Sequence, residues 1–186
     1  MIEWIDIYSA LYQHRQIFLF DQIRDDVAQQ IPGLLLYLSA DDPTKDLNLF
    51  INSPGGNVTH GLSIYNMMQF VDADVSTTCV GEASSIAALI LAGGEINKRY
   101  AFPHARVMLQ QPSGSYNMHT SFDVIRLTEE MLHFREQIAN AYVERTGQPY
   151  ETIYRDMKRS KFMSAEEVKE YGIIDRIVNR YNKNKS

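Results

Sequence analysis

The sequence lacks most features of secreted, membrane-spanning and nucleic-acid-binding proteins. Its single cysteine, Cys79, excludes an internal disulfide and a metal site of the CxxC type. This cysteine usage indicates a reducing compartment. The longest apolar stretch, 86–92, is too short to cross a bilayer. Lys and Arg number 18 against 23 Asp and Glu, and the net charge of −5 argues against general attraction to nucleic acid or anionic membrane.

The length and residue composition suit one globular domain spanning residues 1–186. Short β-branched or apolar runs alternate with helical periodicities, which predicts an α/β architecture with a largely parallel sheet. Helices are predicted at about 3–14, 23–39, 59–70, 83–91, 122–146, 150–158 and 164–172. Strands are predicted at about 16–20, 47–52, 75–80, 106–109 and 173–178. The N-terminal helix and strand thus fill about 3–20, and the polar tail 179–186 is expected to be frayed.

Two glycine-bearing turns follow predicted strands and open predicted helices. They are SPGG at 53–56 and GEASSI at 81–86. Ligands collect at the carboxyl ends of strands in open α/β sheets, and glycine lets backbone N–H groups approach a ligand closely. Ser85 therefore has the placement of a nucleophile at a tight strand-to-helix turn, although the match to G-x-S-x-G is incomplete. The alternative is that small residues there only permit close helix packing.

The order of motifs along 6–178 resembles the proteolytic-core subunits of the Clp protease, the ClpP family. The stretches that carry the resemblance are DIYSALYQHRQIFL, KDLNLFINSPGG, SIYNMMQF, GEASSIAALILAGG, KRYAFPHARVMLQQP, RTGQ and FMSAEEVKEYGIID. It implies a ClpP-type crotonase-superfamily fold with a protruding handle at about 113–146. It also implies two stacked seven-membered rings, an AAA+ ATPase partner that uses the ATP, unfolded polypeptide substrates, and no cofactor on this chain. The stretch RYAFPHARVM is most similar to the plastid branch of the family. This resemblance implies a location in the chloroplast stroma, with the bacterial cytoplasm as the alternative.

The resemblance also assigns a catalytic site whose triad is degenerate. The family serine falls on Ser85, and the oxyanion-hole N–H groups fall on Gly56 and Ile86. Glutamine, Gln110, occupies the histidine position, and Ser160 occupies the aspartate position. A serine hydroxyl is a poor nucleophile without a base, and a glutamine amide can only hydrogen-bond. The sequence therefore predicts a non-catalytic, ClpR-like subunit that builds a hetero-oligomeric core with ClpP-type and ClpR-type neighbours.

Two other functions stay open on the sequence. The first is an active Clp serine endopeptidase that uses Ser85 with a non-standard base, for which His60, close after Gly56, is the most interesting candidate. The remaining histidines, less suited by position, are His14, His104, His119 and His133. The second is a crotonase-type acyl-CoA enzyme that shares the oxyanion hole, although no paired carboxylates are placed for hydratase chemistry.

Four further residues match contact positions of the family. Phe50, Phe70 and Tyr100 correspond to aromatics of the ATPase docking pocket, and Arg159 corresponds to an arginine of the ring-to-ring contact. Without the resemblance, the three aromatics would be interpreted as core residues and the long helix as an ordinary amphipathic one. The family assignment makes them candidates for partner binding, and no metal-ligand pattern accompanies them.

Overall fold

The computed structural model describes residues 6–113 and 120–178. The predicted tail, the first residues of the predicted N-terminal helix and most of the stretch before the long helix lie outside the described residues. The helices are α1 Ile7–Gln13, α2 Asp25–Asp41, α3 Val58–Phe70, α4 Ile86–Ala92, α5 Ser121–Thr146, α6 Tyr150–Lys158 and α7 Ala165–Tyr171. The strands are β1 Gln16–Leu19, β2 Leu47–Ser53, β3 Val75–Ser84, β4 Arg99–Ala101, β5 Arg106–Leu109, β6 Lys161–Ser164 and β7 Arg176–Ile177.

All seven described strands belong to one sheet, which confirms the predicted α/β architecture. The order β1-β2-β3-β4-β7 is parallel throughout. Strand β5 leaves this path, because it pairs in parallel with β3 and in antiparallel with β6. Helix α4 is buried along its whole length between the sheet, α3 and α5, and the core continues into the second half of α5 and into α6 and α7.

Strand β3 is longer than the sequence predicts, and the added residues change the site. The predicted strand end at Gly81 and helix start at Ala83 are wrong, because the extended backbone continues to Ser84. Pairing with β5 over the last three residues of β3 stabilises that extension. The small residues there carry little intrinsic strand preference, so only the distant partner strand decides their conformation.

Helix α2 begins later than predicted and runs through a proline. Arg24 is the N-cap residue, and Asp21 instead accepts a hydrogen bond from the N–H of Gln22 at 2.6 Å. Pro32 does not split the helix, which is continuous to Asp41. The predicted stop of α5 and start of α7 are confirmed: Gly147 adopts φ 71° after α5, and Ser164 forms a capping box with Glu167.

A buried ion pair joins β4 to the segment before β7. Arg99 donates to Asp175 from Nε at 3.0 Å and from Nη2 at 2.7 Å, and both side chains are largely buried. The same guanidinium donates to the carbonyl of Arg145 at 2.9 Å, near the end of α5. Burial raises the pKa of Asp175, but the hydrogen bonds and charge of Arg99 outweigh burial and hold this pKa below its ordinary value.

We expect Asp175→Asn to lower the free energy of unfolding by about 3 kcal/mol, because Arg99 would keep a buried, uncompensated charge. Urea denaturation at neutral pH measures this loss. Because the folded-state pKa of Asp175 is depressed, the carboxylate stabilises the fold above about pH 4 and loses this effect as the pH falls further. The difference between wild type and variant should therefore shrink in acid.

The matched control is Lys98→Met, which removes a more exposed cation held by Asp46 and Asp74 at 2.8 Å. Its cost should stay below about 1 kcal/mol, because exposed ion pairs contribute little. Equal losses for the two variants would contradict the structural role of the buried pair.

Candidate functional site

Strands β5 and β6 bring Gln110 and Ser160 opposite each other. Their antiparallel register pairs Met108 with Phe162 and Leu109 with Lys161, so the next two positions face each other just beyond the strands. Both residues are half-buried. The carbonyl of Met157, at the end of α6, accepts hydrogen bonds from the N–H of Gln111 at 3.0 Å and of Ser160 at 3.4 Å. The Met157 carbonyl therefore holds the segment after β5 and the segment before β6 next to each other.

Ser85 lies at the same edge of the sheet, in a strained turn between β3 and α4. The register pairs Ser84 with Met108, and the N–H of Ser85 donates to the Met108 carbonyl at 2.9 Å. Its backbone adopts φ 56° and ψ −124°, a conformation that costs a non-glycine residue about 1–3 kcal/mol. The side chain makes no capping hydrogen bond to α4 and is half-buried. The structure thus brings together the three sequence-predicted positions.

The SPGG loop packs directly against the Ser85 turn. Gly55 has φ 90°, and a Cβ atom there would lie 2.6 Å from the carbonyl oxygen of Ser84 and 3.0 Å from Cβ of Ser85. Gly56 follows with φ 155°. Ile23 holds this loop from the other side, because its N–H donates to the Gly55 carbonyl at 2.8 Å and its carbonyl accepts from Asn57 N–H at 3.0 Å. Close backbone contact on both sides explains why this loop needs glycine.

The backbone N–H groups near Ser85 can bind a carbonyl oxygen. Ile86 is the first residue of α4, and the first N–H groups of a helix have no acceptor within it. The Ile86 nitrogen lies 3.5 Å from the Cβ position built on Gly55, so the two turns meet at this point. Backbone donors of this kind stabilise an oxyanion in acyl-transfer enzymes. The arrangement therefore supplies backbone donors for an oxyanion and the hydroxyl of Ser85. Gln110 and Ser160 can contribute only hydrogen bonds.

The structure places the candidate alternative base, His60, beside a different residue. Its Nδ1 lies 3.4 Å from Oδ1 of Asp25, at the start of α2, but this buried atom makes no hydrogen bond within the described part of the chain. The polar cavity that His60 lines is formed by 22–26 and Asn57 and does not include Ser85. The remaining described histidines, His14, His104 and His133, are exposed, and His119 lies outside the described residues.

Sequence reasoning missed Asp156, a buried carboxylate one turn before Ser160. It accepts hydrogen bonds from Lys161 Nζ and Tyr171 Oη, each at 3.0 Å, and from Arg155 Nε at 3.3 Å. Burial raises the pKa of Asp156, but the hydrogen bonds from Lys161 and Tyr171 outweigh burial and lower it. The signal that could have identified Asp156 is its position on the buried face of α6. Lys161 already neutralises the charge of the Asp156 carboxylate.

The candidate docking aromatics do not all meet within one chain. Phe50 and Tyr100 stand in one row across the sheet, because each is in register with Thr78 of β3, and Phe50 stacks on Phe18 at 5.5 Å. Phe70 instead ends α3, is 73% exposed, and lines a groove between α3 and α5. The interpretation of Phe70 as a core residue is therefore wrong.

Arg159 follows α6 as its C-cap residue and is exposed, so it is available for contact with another chain. Over 6–113 and 120–178, no helix is long and apolar enough to cross a bilayer. The same residues contain no group of three or more His, Cys, Asp or Glu side chains that could hold a metal ion.

We expect Gly55→Ala to destabilise the fold by about 1–3 kcal/mol, because the new methyl group meets the Ser84 carbonyl and the positive φ becomes strained. Gly33→Ala in α2 is the matched control, since a Cβ there meets nothing within 4 Å. That control should stabilise the fold by about 0.5–1 kcal/mol. Thermal or urea unfolding distinguishes the two, and an unchanged stability of Gly55→Ala would contradict the close approach.

Known proteins resemble this chain over nearly its whole length. A family model described as Clp protease matches residues 1–181. A protein of Chaetosphaeridium globosum is 51% identical over 174 residues, covering 94% of this chain and 87% of its own length. Proteins of Marchantia polymorpha and Lactuca sativa are 50% and 49% identical over 172 residues, covering 92% of this chain and 85% and 88% of their own. All three relatives are named ATP-dependent Clp protease proteolytic subunit. This chain belongs to the Clp protease family.

Proposed function

We propose that this chain is a non-catalytic, ClpR-like subunit of an ATP-dependent Clp serine protease core. In this proposal it forms heteroheptameric rings and the degradation chamber with ClpP-type and other ClpR-type subunits. Two rings stack as a tetradecamer, the active neighbours cut unfolded polypeptides, and an AAA+ partner uses the ATP. Relatives named as Clp protease subunits occur in plants and algae, which supports a location in the chloroplast stroma.

One observation carries the proposal: the register of β5 and β6 places positions 110 and 160 opposite each other, and Met108 of the same β5 accepts a hydrogen bond from the Ser85 N–H. In a serine protease the base removes the hydroxyl proton, and a carboxylate orients and stabilises the resulting imidazolium. Neither amide nor hydroxyl can do this near neutral pH. Loss of the base costs about 10⁶-fold in kcat in a well-studied triad, and the remaining oxyanion effect is only about 10³ to 10⁴ over water.

An active endopeptidase is the second candidate, and specific observations favour it. Ser85 keeps the strained turn of a nucleophile, and the SPGG loop keeps its close contact with that turn. The similar proteins are named proteolytic subunits. This candidate needs a base that reaches Ser85 from elsewhere, such as a neighbouring subunit in an assembled ring.

A fluorophosphonate probe distinguishes the two candidates, because it labels only an activated serine. The purified assembly is treated with the probe and each subunit is weighed by intact-mass spectrometry. We expect labelled neighbours, which serve as the positive control, and no adduct on this chain. An adduct that disappears in Ser85→Ala would show that the serine is activated and would overturn the non-catalytic proposal.

We expect the double substitution Gln110→His and Ser160→Asp to restore measurable peptidase activity, because it supplies both the base and the charge that orients it. Gln110→His alone should restore little, since Ser160 leaves the imidazole without a carboxylate. The assay measures peptide hydrolysis by assemblies whose other subunits carry serine-to-alanine substitutions. A double variant that stays inactive in an intact ring would contradict this expectation.

A further inference from the structure

Strand β3 contains an irregularity just before Ser85. Between Ile51 and Ser53, β2 advances by two residues. Their partners in β3 are Cys79 and Ala83, which lie four residues apart, so β3 bulges by two residues at this point. A bulge bends the strand that carries it and re-aims its side chains, and bulges are common beside active sites. The residues that hold this bulge therefore control the direction in which β3 reaches the serine.

The side chain of Asn52 fills the bulge. Its Oδ1 atom accepts a hydrogen bond from the Glu82 N–H at 3.0 Å, and so takes the place of the backbone carbonyl that a regular ladder would offer. Gly81 leaves room for this atom, because a Cβ there would lie 2.6 Å from Oδ1 of Asn52. The φ of Gly81 lies outside the left-handed region. A side chain at position 81 would therefore be opposed by Asn52 and not by the backbone conformation.

The bulge coincides with the change of partner along β3. Cys79 is the last residue paired with β4, and Glu82 is the first residue paired with β5. Asn52 thus holds β3 from the β2 side at the residue where pairing with β5 begins. Only two residues separate Glu82 from Ser85, whose own N–H donates to the Met108 carbonyl of β5. A shift at Glu82 therefore reaches Ser85 through a short stretch of extended backbone.

We propose that Asn52 is a positioning residue for Ser85. It fixes the two-residue bulge through the Glu82 N–H, and it thereby sets where β3 leaves β4 and where the serine emerges. It acts through the backbone of β3 and not through the Ser85 side chain. The inference holds whether or not Ser85 is active, so the probe experiment above and the test below can fail separately.

Hydrogen exchange of the Ser85 N–H tests this proposal, because a substitution at position 52 leaves the Met108 carbonyl in place as its acceptor. Exchange is measured on the purified protein by mass spectrometry that resolves single amides. Asn52→Leu keeps the size of the side chain and removes the acceptor, whereas Asn52→Asp keeps an acceptor oxygen. Asn52 is exposed, so neither change disturbs the core. Asn48→Leu, the same change in the regular part of β2, is the matched control.

We expect Asn52→Leu to speed exchange of the Ser85 N–H about tenfold, because loss of the hydrogen bond lets the bulge open locally. Asn52→Asp should restore the wild-type rate, and Asn48→Leu should leave it unchanged. The amides of α7 should exchange alike in all variants. An unchanged Ser85 rate in Asn52→Leu would overturn the proposal. Equal acceleration by Asn52→Leu and Asn52→Asp would do the same, as would an acceleration shared by the whole chain.

A second pair of substitutions tests the same contact from the Gly81 side. Gly81→Ala alone should also speed exchange of the Ser85 N–H several-fold, because its methyl group displaces the Asn52 side chain. Combined with Asn52→Ala, which removes the displaced atoms, it should add nothing to the effect of Asn52→Ala alone. Additive effects would show that the two residues act at separate places, and this result too would overturn the proposal.

Discussion

The change of partner along β3 is the constraint on which the site depends. Its first half pairs with β4, and its last three residues pair with β5 instead. This change opens the sheet where β3 ends, so that Ser85 emerges beside β5. The same β5 carries Gln110 and, through β6, brings Ser160 opposite it. The SPGG loop then closes against the turn. Backbone hydrogen bonds create this convergence.

That constraint explains how the strained turn at Ser85 persists beside Gln110 and Ser160, whose side chains can only hydrogen-bond. The Ser85 turn is held by the Met108 carbonyl, by Gly55 and by the burial of α4, whose residues are all in the core. A strained conformation survives where its surroundings over-determine it, whatever its chemistry. Retention of the turn is therefore a property of the fold and does not by itself argue for catalysis. The turn and position 110 are separable, because the turn follows β3 and position 110 follows β5.

Sequence reasoning found the features that are local and missed those that distant strands decide. The glycine turn at 53–56, the stop at Gly147 and the capping box at Ser164 depend on nearby residues and were predictable. The short strands β4 and β6 and the last residues of β3 exist because partners far along the chain pair with them. The exposure of Phe70 and the buried network of Asp156 also follow only from packing. The family resemblance, which encodes long-range order, identified the positions that meet at Ser85.

In the proposed non-catalytic subunit, the residues at positions 110 and 160 are physically coupled. A carboxylate at position 160 would face the uncharged amide of Gln110, and the nearby Lys161 is already held by Asp156. A half-buried charge without its partner costs free energy, whereas a serine hydroxyl asks only for a hydrogen bond. Once glutamine replaces the imidazole, serine at 160 is therefore the better-tolerated neighbour. Under this proposal, loss of the base favours loss of the acid, while the backbone contacts that build the turn stay under their own constraint.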